Sequence, residues 1–339
     1  MSIWLTSTGY AAGSRVHSPR GPTPHMGAIK ANGITLEYES LGDRNAPPIL
    51  LIMGLGMQLI AWPDAFCAAL AGRGFRVIRF DNRDIGLSSK FDAFPIPNVA
   101  WAAAKAWLGL PIRSAYALAD MANDTIGLMD GLRLEKAHVV GASMGGMVAQ
   151  LVAALHPTRV SSLISMMSSS GARRLPGPTQ RALAALLGKP ENPRDFASVI
   201  DHYVHLFRVI GSPGFATDEA ELRVRLEQAL RRNFHPAGNA RQLHAILACG
   251  DRSPLLRRVT APTLVIHGAD DPLVPLECGK DTARKIAGAR LQVVPGMGHD
   301  LPPGLHPILI EAIAEHCHAA QSSCSASASE AVASITTAR

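Results

Sequence analysis

A single hydroxyl, Ser143, stands between two glycines in Gly141-Ala142-Ser143-Met144-Gly145. Val139 and Val140 precede it, and Met147, Leu151 and Leu155 follow at helical spacing. A strand ending at Val140 and a helix starting near Gly145 force the residue at the apex into a strained conformation. Small neighbours then avoid collisions around it. Such a turn lifts the hydroxyl to the C-terminal edge of a sheet, above a helix N-terminus. There, free N–H groups and the helix dipole favour developing negative charge. The plainer alternative is an N-cap serine followed by packing glycines.

A serine hydroxyl near neutral pH needs a base within hydrogen-bond reach, and the base needs an orienting acid. Ligands of open parallel sheets bind at the carboxyl ends of strands, so both groups are expected on later post-strand loops. "LVIHGADDPLVP" offers Asp270 and Asp271, and "LQVVPGMGHDLP" offers His299 between glycine and Asp300. Asp271 precedes Pro272 and falls where the loop leaves the strand turn, so it is preferred as the acid. Asp270 is then exposed or capping. A turn-forming Asp-Pro pair is the alternative for Asp271. The chain order Ser143, Asp271, His299 is that of a nucleophile-elbow enzyme. His138 and His267 lie in strand runs and read as buried. His202, His205 and His244 fall in a helical segment, where a surface position competes with substrate contact. A tetrahedral oxyanion needs two N–H donors. The backbone of Met144 and that of Leu55, in Gly54-Leu55-Gly56, are the candidates. The alternative is that these glycines only permit a tight turn.

The elements that must position these residues follow from apolar periodicity. An Asn32-Gly33 turn ahead of "ITLEYESLG" predicts an opening hairpin. "PPILLIMG", "FRVIRFD", "AHVVG", "VSSLISMM", "PTLVIHG" and "LQVVPG" read as strands with helical segments between them. Such alternation means a mostly parallel α/β sheet covered on both faces. It breaks once, at 171–250. There Phe196, Val199, Ile200, Tyr203 and Phe207 form one helical stripe, Leu222, Leu226 and Leu230 a second, and Leu243, Ile246 and Leu247 a third. A helical insertion of this length is expected to cover an active-site mouth. The expected organisation is a flexible tail over 1–25, a core over 26–170 and 251–318, the helical cap over 171–250, and a low-complexity Ser/Ala tail over 319–339.

Composition narrows the function classes. The chain is 47% hydrophobic and 18% charged, which supports a sizeable core and argues against disorder. A formal charge of +6 is spread over pairs such as Arg231-Arg232 rather than runs. That reads as a solvated surface, not a nucleic-acid site. Cys67, Cys249, Cys278, Cys317 and Cys324 are scattered with no paired spacing, so neither a disulfide framework nor a metal site is expected. Cys317, between His316 and His318, reads as a free thiol at a helix end. The start "MSIWLTSTGYAAGSR" lacks a signal-peptide pattern, and "PPILLIMGLGMQLIAW" is broken by glycines. A cytoplasmic chain that does not enter membranes is the expectation.

"GASMGG", "HGADDPLVP", "GMGHDLP" and "FDNRDIGLS" together resemble the α/β-hydrolase superfamily over most of residues 27–317. The resemblance implies an α/β-hydrolase fold: an eight-stranded, mostly parallel sheet with its second strand antiparallel. It also implies a nucleophile at Ser143, an acid at Asp271, a base at His299 and a helical cap between strands 6 and 7 that shapes an acyl pocket. Two departures stand out. Met53 occupies the place of a histidine that opens the early glycine loop in many relatives, and Asp84 replaces a common glycine. Asp81, Arg83 and Ser88 are expected to brace their loop. The expected function is hydrolysis of a small, apolar carboxylic ester, or a lactone, through an acyl-enzyme, with no metal or organic cofactor. Lactone, C–C bond and perhydrolytic chemistry use the same three residues, and a non-catalytic ligand receptor is the alternative from another class.

Overall fold

The structure, a computed structural model, describes residues 24–337, with side chains described through residue 322. The expected N-terminal tail thus lies outside the described residues except at its last two positions, and His25 already begins a strand. β1 (His25–Ala31) and β2 (Ile34–Leu41) pair antiparallel across Asn32-Gly33. Both turn residues have positive φ, 49° and 80°, which a two-residue hairpin turn of this kind requires and which Asn and Gly tolerate.

Six further strands complete one sheet. They are β3 (Pro48–Ile52), β4 (Arg76–Phe80), β5 (Ala137–Ala142), β6 (Val160–Met166), β7 (Thr263–Gly268) and β8 (Arg290–Val294). The order is β1-β2-β4-β3-β5-β6-β7-β8. β2 runs antiparallel to both neighbours, and β3 through β8 are parallel. α1 (Asp64–Gly72) follows β3. α2 (Val99–Leu108) and α3 (Leu118–Gly131) lie between β4 and β5, and α4 (Met144–Leu155) follows β5. Between β6 and β7 come α5 (Gln180–Leu187), α6 (Phe196–Ile210), α7 (Glu219–Arg232), α8 (Pro236–Cys249) and the short α9 (Ser253–Leu256). α10 (Leu276–Lys285) joins β7 to β8, and α11 (His306–Thr337) closes the described chain.

Successive side chains of a strand face opposite sides of the sheet, and this decides the two cores. Leu50, Ile52, Ile78, Phe80 and Val139 pack with Leu118, Met121, Val148 and Leu151 of α3 and α4. Ile49, Leu51, Val77 and Val140 face the other way, against Phe66 and Leu70 of α1 and Leu309 and Ile313 of α11. Each such buried side chain contributes about 1.5–3 kcal/mol. In the cap, the stripes on α6 and α7 meet: Ile200 and Val204 pack on Leu226, flanked by Leu222 and Leu230.

Three features differ from the sequence reading. α2 was not anticipated: Asn98 caps it by accepting from the Trp101 N–H at 3.0 Å, alanines fill it, and Gly109 ends it at φ 70°. Residues 319–337, expected as a tail, continue α11, in a stretch that contains neither Gly nor Pro to stop it. Cys317 therefore sits within that helix rather than at its end. Its neighbours serve separate contacts: His316 Nε2 donates to the Pro262 carbonyl at 3.1 Å, while the His318 ring lies against Phe75. Among the described residues, no helix is long and apolar enough to cross a membrane.

Candidate active site

Ser143 joins β5 to α4 with φ 56° and ψ −120°, a strained conformation for a residue with a side chain. The turn is held by Ser143 N–H donating to the Met166 carbonyl at 2.9 Å and by Ser168 Oγ donating to the Ser143 carbonyl at 2.8 Å. The flanking glycines are steric necessities. A Cβ on Gly141 would lie 2.1 Å from the Gly145 carbonyl oxygen, and one on Gly145 would lie 2.1 Å from that of Ile52. The helix start thus packs directly on the backbone of β3.

The structure brings Ser143, His299 and Asp271 together from three loops at the carboxyl ends of β5, β8 and β7. Ser143 Oγ is 2.9 Å from His299 Nε2, and His299 Nδ1 is 2.7 Å from Asp271 Oδ2. Asp271 and His299 are buried, while Ser143 is partly exposed. Asp271 Oδ1 accepts the N–H groups of Leu273 and Val274 at 2.9 and 2.8 Å, which orients the carboxylate toward the imidazole. Asp270 turns away, accepting the Gly296 N–H at 2.8 Å. Buried His267 lies 3.8 Å from Asp271 Oδ2, and its Nε2 meets the Val274 carbonyl at 2.8 Å. Burial lowers its imidazole pKa from the ordinary histidine value, against the opposing effects of the Val274 carbonyl and the Asp271 carboxylate.

The cap clamps the His299 loop. His299 N–H donates to the Ile210 carbonyl at 2.7 Å, at the end of α6. Ser212 Oγ accepts from the Gly298 N–H at 2.9 Å and donates to Asp300 Oδ1 at 2.5 Å. Gly298 is required by this approach, because a Cβ there would lie 2.3 Å from the Gly211 carbonyl oxygen. Burial pushes the Asp300 carboxyl above its ordinary value, against the opposing effect of the Ser212 hydrogen bonds. Sequence reading missed Ser212. Nothing in its local pattern marks it, since its partners lie 86 and 88 residues away.

Leu55 lies in the loop after β3, beside Ser143. A Cβ on neighbouring Gly54 would approach Ser143 Cβ at 3.1 Å. Met144 is the first residue of α4, buried directly after Ser143. The Asp81–Asp84 loop braces the same edge. Asp81 accepts the Leu59 and Leu87 N–H groups at 2.7 and 2.8 Å and pairs with Arg232 of α7 at 2.7 Å. Arg83 grips Asp124 at 2.6 and 2.7 Å, and Ser88 Oγ donates to the Asp81 carbonyl at 2.6 Å. Asp84, Asp92 and His235 converge closely enough to hold an ion, but Arg241 Nη2 stands among them, 2.9 Å from Asp92 and 3.0 Å from His235. That guanidinium already supplies the positive charge there. His202 and His205 line a separate surface depression that contains none of the three clustered residues.

Comparison with known proteins gives these features a relationship. Residues 47–207 match a family model described as alpha/beta hydrolase fold, and residues 239–307 one described as TAP-like protein. The rhodomycin D methylesterase DnrP of Streptomyces peucetius is 30% identical over 316 residues, covering 86% of this chain and 98% of the relative. A putative carbamate hydrolase, RutD, of Variovorax paradoxus is 29% identical over 266 residues, covering 78% and 89%. Among solved structures, the meta-cleavage product hydrolase CumD of Pseudomonas fluorescens IP01 superposes with a TM-score of 0.69 at 21% identity, covering 87% of this chain and 98% of that one. With near-complete alignment to a 30%-identical relative and a match to the alpha/beta hydrolase fold model, this chain belongs to the α/β-hydrolase family.

Proposed function

We propose that this protein is a serine hydrolase that cleaves a carboxylic ester of a small, apolar substrate through an acyl-enzyme. The observation that carries this reading is the chain of two hydrogen bonds, Ser143 Oγ to His299 Nε2 at 2.9 Å and His299 Nδ1 to Asp271 Oδ2 at 2.7 Å. Its first member is held at the strained apex of the β5–α4 turn.

Ser143 Oγ attacks the ester carbonyl carbon as its proton passes to His299 Nε2. Asp271 holds the imidazole in the tautomer that leaves Nε2 free to accept, and stabilises the imidazolium that forms. The carbonyl oxygen becomes an oxyanion, received by the N–H groups of Leu55 and Met144, with the N-terminal dipole of α4 adding to the field. The tetrahedral intermediate expels the alcohol, which takes the proton from His299. A water molecule, deprotonated by the same imidazole, then attacks the acyl-Ser143 carbonyl. The second tetrahedral intermediate releases the acid and returns the proton to Ser143.

The methylesterase named above aligns along nearly its whole length, and this favours an ester, with a methyl ester as the first candidate. The test is a p-nitrophenyl ester series of rising acyl length, run beside methyl esters, lactones and thioesters, with Ser143→Ala as control. Turnover that vanishes in Ser143→Ala supports the reading. Ligand binding without turnover in the intact chain would instead identify a receptor.

A further inference from the structure

We propose that Gln242, on cap helix α8, is a positioning residue for the oxyanion loop, fixing the Leu55 N–H by pinning the backbone on its C-terminal side. The inference rests on the ester-hydrolase reading for its kinetic consequence, but its structural basis stands apart from it.

The loop after β3 has little to hold it by itself. Met57 N–H donates to the Gly54 carbonyl at 3.2 Å, a single turn contact. The resemblance to the family leads one to expect a histidine at the loop's start, and this chain has Met53 there. Side chains from outside anchor the stretch on either side of Leu55. Asn82 Nδ2 donates to the Met53 carbonyl at 2.9 Å. Gln242 Oε1 accepts the Gly56 N–H at 2.9 Å, and its Nε2 donates to the Arg83 carbonyl at 2.9 Å. Leu55 therefore lies between two pinned stretches of backbone, both tied to the Asp81–Asp84 loop, one at Asn82 and one through Gln242 at Arg83. That loop is itself fixed by the Arg83–Asp124 pair.

Gln242 is completely buried, so neither of its hydrogen bonds can be replaced by bulk water. Asn239, three residues earlier on α8, presses on the same loop. Its Cγ lies 2.8 Å from where a Cβ of Gly56 would be, at a position whose φ of 70° already favours glycine. Residues three apart share one helix face, so α8 meets the loop with a steric stop and a hydrogen-bonding hook side by side. The cap thus does more than cover the site: one of its helices sets where an oxyanion donor stands relative to Ser143. Donors of this kind act by being fixed before charge develops, so a small displacement is costly.

Two measurements on the full chain test this. Gln242→Met keeps the length of the side chain and removes both hydrogen bonds, while Gln242→Glu keeps an oxygen for the Gly56 N–H. With p-nitrophenyl acetate, kcat in Gln242→Met is expected to fall about thirty-fold with KM within about two-fold, and Gln242→Glu to recover most of the loss. This is part of the 10²–10³-fold that complete removal of a donor costs. Unchanged kcat in folded Gln242→Met, or a change in KM alone, overturns the inference. Should Gln242→Met fail to fold, Gln242→Asn, one methylene too short to span both partners, is read the same way. Amide hydrogen exchange reads the anchoring without any reaction. The Gly56 amide is expected to exchange at least about ten-fold faster once Gln242 is replaced by Met or Asn. Unchanged exchange sinks the inference whatever Ser143→Ala shows, whereas faster exchange beside a fully active Ser143→Ala locates the failure in the ester reading.

Discussion

Arg241 of the cap and Asp84 of the core form a two-pronged, buried ion pair, with Nε 2.6 Å from Oδ2 and Nη2 2.8 Å from Oδ1. Asp84 has φ 73°, a conformation that glycine adopts more readily. Here a side chain is retained at that strain because it also accepts the Tyr116 hydroxyl and the Phe91 N–H, each at 3.0 Å. Burial opposes ionisation of Asp84, yet these bonds and the guanidinium together hold its carboxyl below its ordinary value. Removing Arg241 leaves a buried carboxylate without its countercharge. Arg241→Met is expected to lose about 3–5 kcal/mol of unfolding free energy, measured by urea titration at pH 7. A loss under about 1 kcal/mol would show the pair to be dispensable.

Glycine at 145 is demanded by backbone, which cannot move aside as a flexible side chain could. In Gly145→Ala the new methyl would meet the carbonyls of Ile52 and Met53, at 2.1 and 2.8 Å for their oxygens. α4 must then retreat from β3, taking Met144 and Ser143 with it. Gly145→Ala is expected to lower stability by at least about 3 kcal/mol and to abolish esterase turnover. Gly177→Ala, at a position with open space around it, serves as the harmless control. Equal melting temperatures for the two variants would contradict the steric argument.

Much of the architecture was legible because it is written in short-range patterns. Alternating Ile49, Leu50, Leu51 and Ile52 signal a strand buried on both faces, and Asn32-Gly33 signals the hairpin. Ser143, His299 and Asp271 could be picked out because each sits on a loop directly after a strand, and a parallel sheet gathers such loops at one edge. The missed residues had no such local mark. Gln242 meets Gly56 across 186 residues and Ser212 meets Gly298 across 86, and each lies in the cap, whose docking on the core leaves no periodicity in the sequence. α2 escaped because its alanines carry no apolar stripe, and its start is set by the lone side chain of Asn98.

The role proposed for Asp271 predicts a specific failure when its charge alone is removed. In Asp271→Asn the side-chain oxygen still accepts from Leu273 and Val274 N–H, as Oδ1 does now at 2.9 and 2.8 Å. The amide nitrogen is then left facing His299 Nδ1 as a donor, and the imidazole must place its own proton on Nε2. A base with its proton on Nε2 cannot take one from Ser143. The expected result is a kcat lower by roughly 10³–10⁴-fold with an unchanged fold. Asp270→Asn, whose carboxylate only accepts from Gly296, is expected to stay within about three-fold of the intact chain. Near-equal effects of the two substitutions would remove Asp271 from the mechanism.

Acid stability should report on His138. This ring is buried between β6 and α11: Nδ1 lies 2.8 Å from Ser162 Oγ, and Nε2 lies 3.0 Å from Gln321 Nε2. Those contacts suit a neutral imidazole that donates from one nitrogen and accepts at the other. Burial, reinforced by His316 and His318, lowers its pKa to about 4. In the unfolded chain a histidine takes its proton near pH 6.5. Between those values the unfolded state binds more protons, so stability is complete above about pH 6.5 and declines as the pH falls toward about 4. The shift corresponds to about 3 kcal/mol across that window. His138→Gln cannot titrate, so its urea midpoint is expected to fall less than that of the intact chain between pH 7 and pH 4.5. His267 and His316 are also held low by burial and keep part of the slope in both proteins, which makes the difference between the two curves the quantity to read. Parallel curves would mean that His138 is not the group that resists protonation in the fold.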